Sequence, residues 1–242
     1  RGFKVLLVSE NALKIIKSAY EDGRNFLLEH EAKSICRLYG IPTTLFRVAR
    51  NADEALKVAR EIGYPVVIKI ISRDIIHKSD VGGVVVNIRS DEEVVNACEM
   101  IKNNVSKYSP NARIDGFLVE KMAQPTTEVI VGMIKDPQFG PAIMFGLGGI
   151  FVEVLKDVSF RVVPLTRYDA EEMIKEIKAY PILKGIRGRP PVDIEALINI
   201  ILNVSRLSFE ISEINQIDLN PIFTYPRGAI TVDARIILEK DS

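Results

Sequence analysis

Cysteine is scarce in this chain of 242 residues, which contains only Cys36 and Cys98. Each lies in a segment with helical spacing, where an isolated thiol is usually a small buried hydrophobe. A disulfide framework is therefore excluded, and a reducing, cytoplasmic setting is expected. No apolar run reaches the roughly 18–20 residues of a membrane span. The first ten residues also lack the long apolar region and small-residue cleavage site of a signal peptide.

The chain has no net charge either, because 32 basic residues are balanced by 32 acidic ones. A neutral chain provides no overall field to attract nucleic acid or an anionic membrane, so neither is expected as a partner. Hydrophobic residues make up 47% of the sequence, which is enough to bury a sizeable core. The composition therefore predicts a globular protein, built either as one large domain or as two lobes.

Helical and strand patterns alternate along the chain, with no low-complexity linker and no fixed repeat. We predict helices at 11–20, 25–39, 53–62, 91–107, 169–179 and 192–208. Strands are predicted at 43–49, 64–71, 84–88, 116–122, 128–135, 142–145, 151–155, 160–164, 213–219, 221–225 and 230–236. The pattern changes character near residue 122. We therefore expect an α+β protein with an amphipathic leader (1–23) and two lobes (24–121 and 122–242).

The most informative stretch joins a buried strand to a glycine-containing loop. Lys69 interrupts the apolar strand at 64–71, and a lysine in a central strand is costly unless an anion neutralises it. His77, one of only two histidines, follows in the loop together with Gly82 and Gly83. Such a loop can hold an anion, so the stretch suggests phosphate chemistry. The alternative is a solvated histidine, next to a lysine whose ammonium group reaches water from a strand end.

Acidic and amide side chains near the end of the chain suggest a metal site. Asp218 and Asn220 lie two residues apart on a predicted strand, so their side chains share a face, and Asp233 lies opposite if the last strands pair as a hairpin. Three oxygen donors then converge, and Mg²⁺ bound to a nucleotide typically takes one or two carboxylates plus phosphate oxygens. Alternatively, Asp218 and Asn220 only open a turn before Pro221.

Two further segments are candidates for nucleotide contacts. Glu120 ends its strand where the two lobes are expected to join, and the backbone groups of Glu120 and Met122 are placed to hydrogen-bond the edge of a base. The glycine-rich segment 146–149 lacks the spacing of a dinucleotide-binding motif, and no helical pattern follows it. It is either a loop that covers a phosphate with backbone amides or a permissive bend.

The order of four motifs, covering roughly residue 25 to the end, resembles the ATP-grasp subunit of ADP-forming acetyl-CoA (acyl-CoA) synthetases. They are Gly-Tyr-Pro-Val-Val-Ile-Lys at 63–69, His-Lys-Ser-Asp-Val-Gly-Gly at 77–83, Val-Glu-Lys-Met at 119–122 and Asp-Leu-Asn-Pro at 218–221. The second motif is a highly specific marker of that family. The resemblance implies an ATP-grasp fold, in which two α+β lobes hold ATP or ADP between them.

The resemblance also implies roles for individual residues. In that family a phosphohistidine segment of the CoA-binding subunit swings to the ATP-grasp subunit and passes its phosphoryl group to ADP. His77 matches the family's second histidine, a transient phosphoryl acceptor, and Lys69 is expected to neutralise the transferring group. Asn220 and Asp233 match metal-binding positions of the related succinyl-CoA synthetase subunit, and Asp218 is a third candidate. Glu128 is expected to orient the nucleotide or support the Mg²⁺ ligands.

No CoA-binding or ligase domain is recognisable in these 242 residues. We therefore expect a CoA-binding alpha subunit as partner, in an α2β2 heterotetramer. The leader is a candidate for covering that partner or the chain's own sheet. Two other functions compete: a free-standing ATP-grasp ligase that joins a carboxylate to an amine, which needs no histidine at position 77, and a non-catalytic regulatory module, which is expected to lose the phosphate-relay residues.

Overall fold

The computed structural model describes residues 2–75, 77–149, 152, 154–186, 188 and 190–240, with side chains from residue 7 onward. Contacts divide the chain into two compact units. Residues 44–123 form what we call the small unit, and residues 1–43 together with 124–242 form the large unit. The predicted lobe boundaries placed residues 24–43 with the first lobe, whereas these residues pack with the C-terminal half of the chain.

The described helices are α1 (Gly2–Glu21), α2 (Glu29–Leu38), α3 (Ala52–Ile62), α4 (Asp91–Tyr108), α5 (Arg167–Glu176), α6 (Tyr180–Leu183) and α7 (Ile194–Glu210). The strands are β1 (Phe46–Ala49), β2 (Val66–Ile71), β3 (Val84–Ile88), β4 (Gly116–Lys121), β5 (Thr127–Asp136), β6 (Gly140–Leu147), β7 (Val158–Val162), β8 (Ile214–Thr224), β9 (Ala229–Thr231) and β10 (Ala234–Leu238). A short 3-10 turn, Ser79–Val81, lies between β2 and β3.

The small unit is a four-stranded antiparallel sheet in the order β1-β4-β2-β3. Helices α3 and α4 pack on one face of it, and alternate residues of the central strands, such as Ile68, Ile70 and Val119, enter their shared core. Both helices begin at a side-chain cap, since Asn51 accepts the Glu54 N–H and Ser90 accepts the Glu93 N–H. The strand residues that alternate with these core residues therefore have their side chains on the other face of the sheet.

The large unit contains an antiparallel sheet in the order β10-β8-β5-β6-β7, with β9 paired to β8. Its core lies on one sheet face, where alternate strand residues such as Val131 and Leu219 pack in one cluster with residues of α1, α2, α5 and α7. The leader helix α1 contributes Ala12, Ile16 and Ala19 to this core. Of the two roles expected for the leader, packing on its own unit is the one observed.

Most predicted elements are present with shifted ends, and the shifts have physical causes. The second helix begins at Glu29, later than predicted, because the preceding segment pairs with β10 through Leu27 N–H to Ile236 O (2.9 Å) and Leu238 N–H to Asn25 O (2.8 Å). The strands predicted at 213–219 and 221–225 form one strand, β8, and the strand predicted at 230–236 divides into β9 and β10. The strand predicted at 151–155 falls partly outside the described residues, and residues 154–155 form a turn.

None of the described helices is both long enough and apolar enough to cross a membrane.

Candidate functional site

Lys69 and Glu120 form a buried ion pair on the face of the small-unit sheet that is turned away from its helices. Lys69 lies opposite Leu118 in the ladder, which places Glu120, two residues farther along β4, on the same face. The Lys69 Nζ atom lies 2.7 Å from Glu120 Oε1, and the two side chains are only 7% and 1% exposed. The other carboxylate oxygen, Oε2, accepts a hydrogen bond from Thr44 Oγ1 at 2.7 Å.

The anion predicted for Lys69 is therefore, in this structure, a carboxylate of the protein itself. The ammonium group has three donors, so it can bind Glu120 and still donate to a second anion such as a phosphate. Because both charges are buried, removing one partner takes away the opposite charge that the other now contacts. The pair thus keeps a positive charge inside a sheet whose other residues are mostly apolar.

His77 is exposed in the loop that connects β2 to β3. On one side of it, the Arg113 N–H donates to Asp74 Oδ2 at 2.7 Å, and Ile75 is buried in the core of the small unit. On the other side, the Gly83 N–H donates to Lys78 O at 2.8 Å within the turn, and the Ile70 N–H of β2 donates to Gly83 O at 2.8 Å. The loop is therefore tied to the body of the unit on both sides of a solvent-accessible imidazole.

Gly82 and Gly83 shape this loop. Gly82 has a φ of 62°, a left-handed conformation that few other residues adopt at low cost. A Cβ on Gly83 would approach Ile70 Cγ2 to 2.6 Å and Lys78 O to 2.9 Å. The N–H groups of both glycines donate inside the loop, to Ser79 O and Lys78 O. These amides are thus not available to an anion in this conformation. The glycines can serve a nucleotide contact only by shaping the loop, so that contact stays a prediction.

The backbone at the end of β4, predicted to bind a base, is partly engaged. The Met122 N–H donates to Pro65 O at 3.1 Å, and the Lys121 N–H donates to Leu45 O at 2.8 Å. Lys121 Nζ also donates to the carbonyl oxygens of Gly63 and Tyr64. A base held here would need backbone groups other than the Met122 N–H, so the role predicted for Glu120 and Met122 stays a prediction.

In the large unit, the last strands pair as the hairpin that the sequence suggested. Asp218 lies opposite Arg235 in the β8–β10 ladder, and the Asn220 N–H donates to Asp233 O at 3.2 Å. Residues that face each other across an antiparallel pair share a sheet face, so the side chains of Asp218, Asn220 and Asp233 belong to the same face. Leu219 between them is buried in the core, which leaves this acidic group on the opposite face of the sheet.

Electrostatics in this acidic group are unfavourable to a second negative charge. The pKa of Asp218 is raised, first by burial and second by the nearby Asp233 carboxylate, while Arg235 opposes the shift. A cation bound to these carboxylates would relieve their repulsion. Among the described residues, no three His, Cys, Asp or Glu side chains are placed together to hold a metal. The predicted set has two carboxylates and the amide of Asn220.

Glu128, in β5, belongs to the same face of the sheet as Asp218. Its neighbours Val129 and Val131 enter the core, so strand alternation turns Glu128 to the other side. The Glu128 carbonyl accepts the Gly148 N–H at 2.8 Å, and a Cβ on Gly148 would come within 3.0 Å of Glu128 Cβ. The segment 146–149 therefore packs against the start of β5, and the Gly148 amide is engaged there. Whether Glu128 contacts a nucleotide stays a prediction.

Two residues of the site were not found from the sequence. Thr44 gave no signal, because only the fold brings it to Glu120. Asn104, on α4, donates from Nδ2 to Gly82 O at 3.1 Å and lies directly against the His77 loop. Asn104 gave no signal either, because its importance comes from the glycine turn that packs against it.

A model of the ATP-grasp domain family matches residues 18–238, which is most of the chain. The beta subunit of the ADP-forming acetate–CoA ligase I of Pyrococcus furiosus is 59% identical over 227 residues, a stretch that covers 94% of this chain and 97% of that protein.

Two solved structures of the acetyl-coenzyme A synthetase 1 of Candidatus Korarchaeum cryptofilum are similar to this chain. The complex with coenzyme A and Ca-AMPCP has a TM-score of 0.92 at 54% identity, covering 93% of this chain and 99% of that one. The complex with coenzyme A and Mg-AMPPCP, described with its phosphohistidine segment pointing towards the nucleotide binding site, has a TM-score of 0.84 at 50% identity, covering 94% and 100%. With its ordered motifs, its two α+β units and relatives matched over nearly their whole length, the chain belongs to the ATP-grasp family, among the beta subunits of the ADP-forming acetate–CoA ligases.

Proposed function

We propose that this chain passes a phosphoryl group between a phosphohistidine of a partner subunit and ADP, as the nucleotide-binding subunit of an ADP-forming acyl-CoA ligase. The complete enzyme converts acyl-CoA, ADP and phosphate to the free acid, ATP and CoA. The observation that carries the proposal is the exposed His77 on a loop that is bonded to Arg113 on one side and to Ile70 of β2 on the other. That loop directly follows the strand that holds Lys69.

The CoA-dependent part of the reaction requires a partner. The Pyrococcus relative is named as a beta subunit and is matched over 97% of its length, so its counterpart subunit must supply the remaining functions. The Korarchaeum complexes contain coenzyme A together with a nucleotide analogue. We infer a CoA-binding alpha subunit that carries the first phosphohistidine, arranged with this chain as an α2β2 heterotetramer.

Two phosphoryl transfers then follow. In the first, an imidazole nitrogen of His77 attacks the phosphorus of the partner's phosphohistidine, and the phosphorus–nitrogen bond to the partner's imidazole breaks. In the second, a terminal phosphate oxygen of ADP attacks that phosphorus, ATP forms, and the imidazole of His77 is regenerated. A neutral imidazole is nucleophilic near pH 7, and phosphohistidine keeps a high transfer potential, so the relay conserves the energy of the acyl phosphate.

Lys69 would stabilise charge on the phosphoryl group during both transfers. Its pairing with Glu120 holds the ammonium group in place before a nucleotide arrives. Asn220 and Asp233 of the large unit, with Asp218 as the third candidate, are the residues that would hold Mg²⁺. Their donor chemistry fits, because hard oxygen ligands and a pair of repelling carboxylates favour a hard cation. Bound Mg²⁺ supplies charge neutralisation and orientation of the nucleotide phosphates.

The relatives favour this function over the two alternatives that the sequence left open. A carboxylate–amine ligase would not require His77, and a regulatory module would be expected to lose Lys69, Asn220 and Asp233, all of which are present. The matched protein of Pyrococcus furiosus is named as an ADP-forming acetate–CoA ligase subunit.

The test is to purify the chain with its partner from the native source and to assay ATP formation. We expect ATP only when acyl-CoA, phosphate and ADP are all supplied, with CoA released in equal amount. Omitting any one of the three should abolish ATP formation. A complex that instead consumes ATP to join a carboxylate to an amine would contradict the proposal.

Replacing Asp233 by asparagine should weaken Mg-ADP binding without unfolding the protein. Loss of a supporting partner of a metal ligand typically costs about 10–100-fold in affinity, and loss of a direct ligand's charge should cost no less. The metal-free variant should melt at or above the wild-type temperature, because the repulsion between Asp218 and Asp233 is relieved. Mg-ADP should then raise its melting temperature less than that of the wild type.

Asp53→Asn provides the matched control, since Asp53 is exposed on α3 and the charge change is the same. Mg-ADP should raise the melting temperature of this control variant as much as it raises that of the wild type. An equal shift in Asp233→Asn and the wild type would show that Asp233 is not a ligand and would leave Asp218 as the better candidate.

A further inference from the structure

On its glycine side, the loop that carries His77 receives a side-chain hydrogen bond from α4. Asn104 Nδ2 donates to the carbonyl oxygen of Gly82 at 3.1 Å. Backbone bonds close the turn itself, from the Gly82 N–H to Ser79 O and from the Gly83 N–H to Lys78 O, and the Ile70 N–H of β2 donates to Gly83 O at 2.8 Å. The amide of Asn104 therefore connects this turn to α4, a rigid helix of the small unit.

The contact is steric as well as polar. A Cβ built on Gly82 would lie 2.5 Å from Asn104 Nδ2 and 3.0 Å from Asn104 Cγ. Only glycine therefore allows the Asn104 side chain to approach this closely while the backbone adopts its positive φ of 62°. Neighbours of Asn104 on the same helix, Ile101 and Val105, are fully buried, so the helix itself has little freedom to move.

We propose that Asn104 is a positioning residue for the phosphoryl relay: it fixes the Gly82 turn and, through it, the place from which His77 accepts and donates the phosphoryl group. This inference rests on the proposed function of His77. Transfer between two nitrogen atoms needs the reacting atoms about 3–3.5 Å apart and in line, and a displacement of about 1 Å can cost a hundredfold in rate. A turn released from α4 would displace the imidazole while leaving Lys69 in place beside Glu120.

The experiment compares Asn104→Ala and Asn104→Asp with Asn103→Ala in the complete complex with its partner subunit. We expect Asn104→Ala to lower kcat by roughly 10–100-fold, with KM for ADP within about twofold of the wild type. Asn104→Asp preserves the shape but cannot donate to a carbonyl oxygen, so it should behave like Asn104→Ala. Asn103 is exposed and one residue away, so Asn103→Ala should match the wild type.

A second measurement reports the turn directly. Hydrogen exchange of the Gly82 and Gly83 amides, which are bonded within the turn, should be faster in both Asn104 variants and unchanged in Asn103→Ala. The amount of phosphate trapped on His77 in a single turnover should fall in parallel with kcat. If Asn104 served only global stability, its variants would change the melting temperature without a selective increase in Gly82 and Gly83 exchange or a parallel loss of phosphate trapped on His77.

The outcomes separate this inference from the proposed function. If His77→Ala retains wild-type turnover, the relay itself fails. If His77→Ala is inactive while Asn104→Ala and Asn104→Asp keep wild-type kcat and exchange rates, only the positioning role is overturned. Loss of turnover in Asn104→Ala accompanied by equal losses of ADP affinity and thermal stability would overturn it as well. A wild-type Asn104→Asp beside an impaired Asn104→Ala would show that the contact acts through packing rather than through the hydrogen bond.

Discussion

Replacing His77 by alanine should abolish ATP formation from acyl-CoA, phosphate and ADP. The expected loss in turnover is about a thousandfold or more, because removing a covalent acceptor leaves no route of comparable rate. ADP affinity should remain within about twofold of the wild type, since the side chain is exposed and receives phosphate only during transfer. Coupled assay of ATP formation by the complete complex, together with calorimetry of ADP binding, measures both quantities.

Phosphate trapping distinguishes a relay from direct transfer to ADP. Wild-type complex given labelled phosphate and acyl-CoA without ADP should retain acid-labile label on this chain, and His77→Ala should retain none. His77→Gln keeps a polar side chain that cannot be phosphorylated, so it should be as inactive as the alanine variant. Wild-type turnover in either variant would show that the partner's phosphohistidine reaches ADP without help from position 77.

Removing Lys69 from its pair with Glu120 should strongly reduce both the stability of the chain and its affinity for ADP. The two effects can be separated. Lys69→Met leaves the Glu120 carboxylate buried without its cation, and breaking a buried pair in this way typically costs about 3–5 kcal/mol in free energy of unfolding. Adding Glu120→Gln removes the orphaned charge, so the double variant should recover most of that stability. Nucleotide binding and turnover should stay low in both variants, because the positive charge is absent in each.

Denaturant unfolding and ADP calorimetry of the two single variants and the double variant complete the cycle. Lys57→Met is the control, since Lys57 is exposed on α3 in the same unit and loses the same charge. If ADP affinity returned together with stability in the double variant, Lys69 would be a structural lysine whose only role is to pair with Glu120.

Local patterns were sufficient to predict much of the fold. The strand at 84–88 was predicted with its observed bounds, and the helix predicted at 53–62 begins only one residue earlier, after its Asn51 cap, because capping is a short-range effect. The hairpin that brings Asp218 and Asn220 near Asp233 also followed from alternation and proximity in the chain.

Contacts between distant segments could not be predicted in the same way. The sequence marked Lys69 as requiring an anion, but the choice of Glu120 depends on β4 pairing with β2 across about 50 residues. The segment before α2 has a helical pattern, yet its backbone bonds go to β10 near the other end of the chain, because tertiary pairing outweighs local preference. Asn104 has no motif of its own, since its importance comes from a glycine turn that packs against it.

The pairing of residues 25–27 with β10 also dictates the order in which the protein can be assembled on the ribosome. All strands of the small unit are available once residue 123 has emerged, so that unit can fold while synthesis continues. The large unit must wait for residues 236–238, its last strand, before the segment ahead of α2 finds its partner. Closing contacts over nearly the full chain is slow, so the N-terminal helices remain exposed the longest and are the segment most in need of protection from aggregation during synthesis.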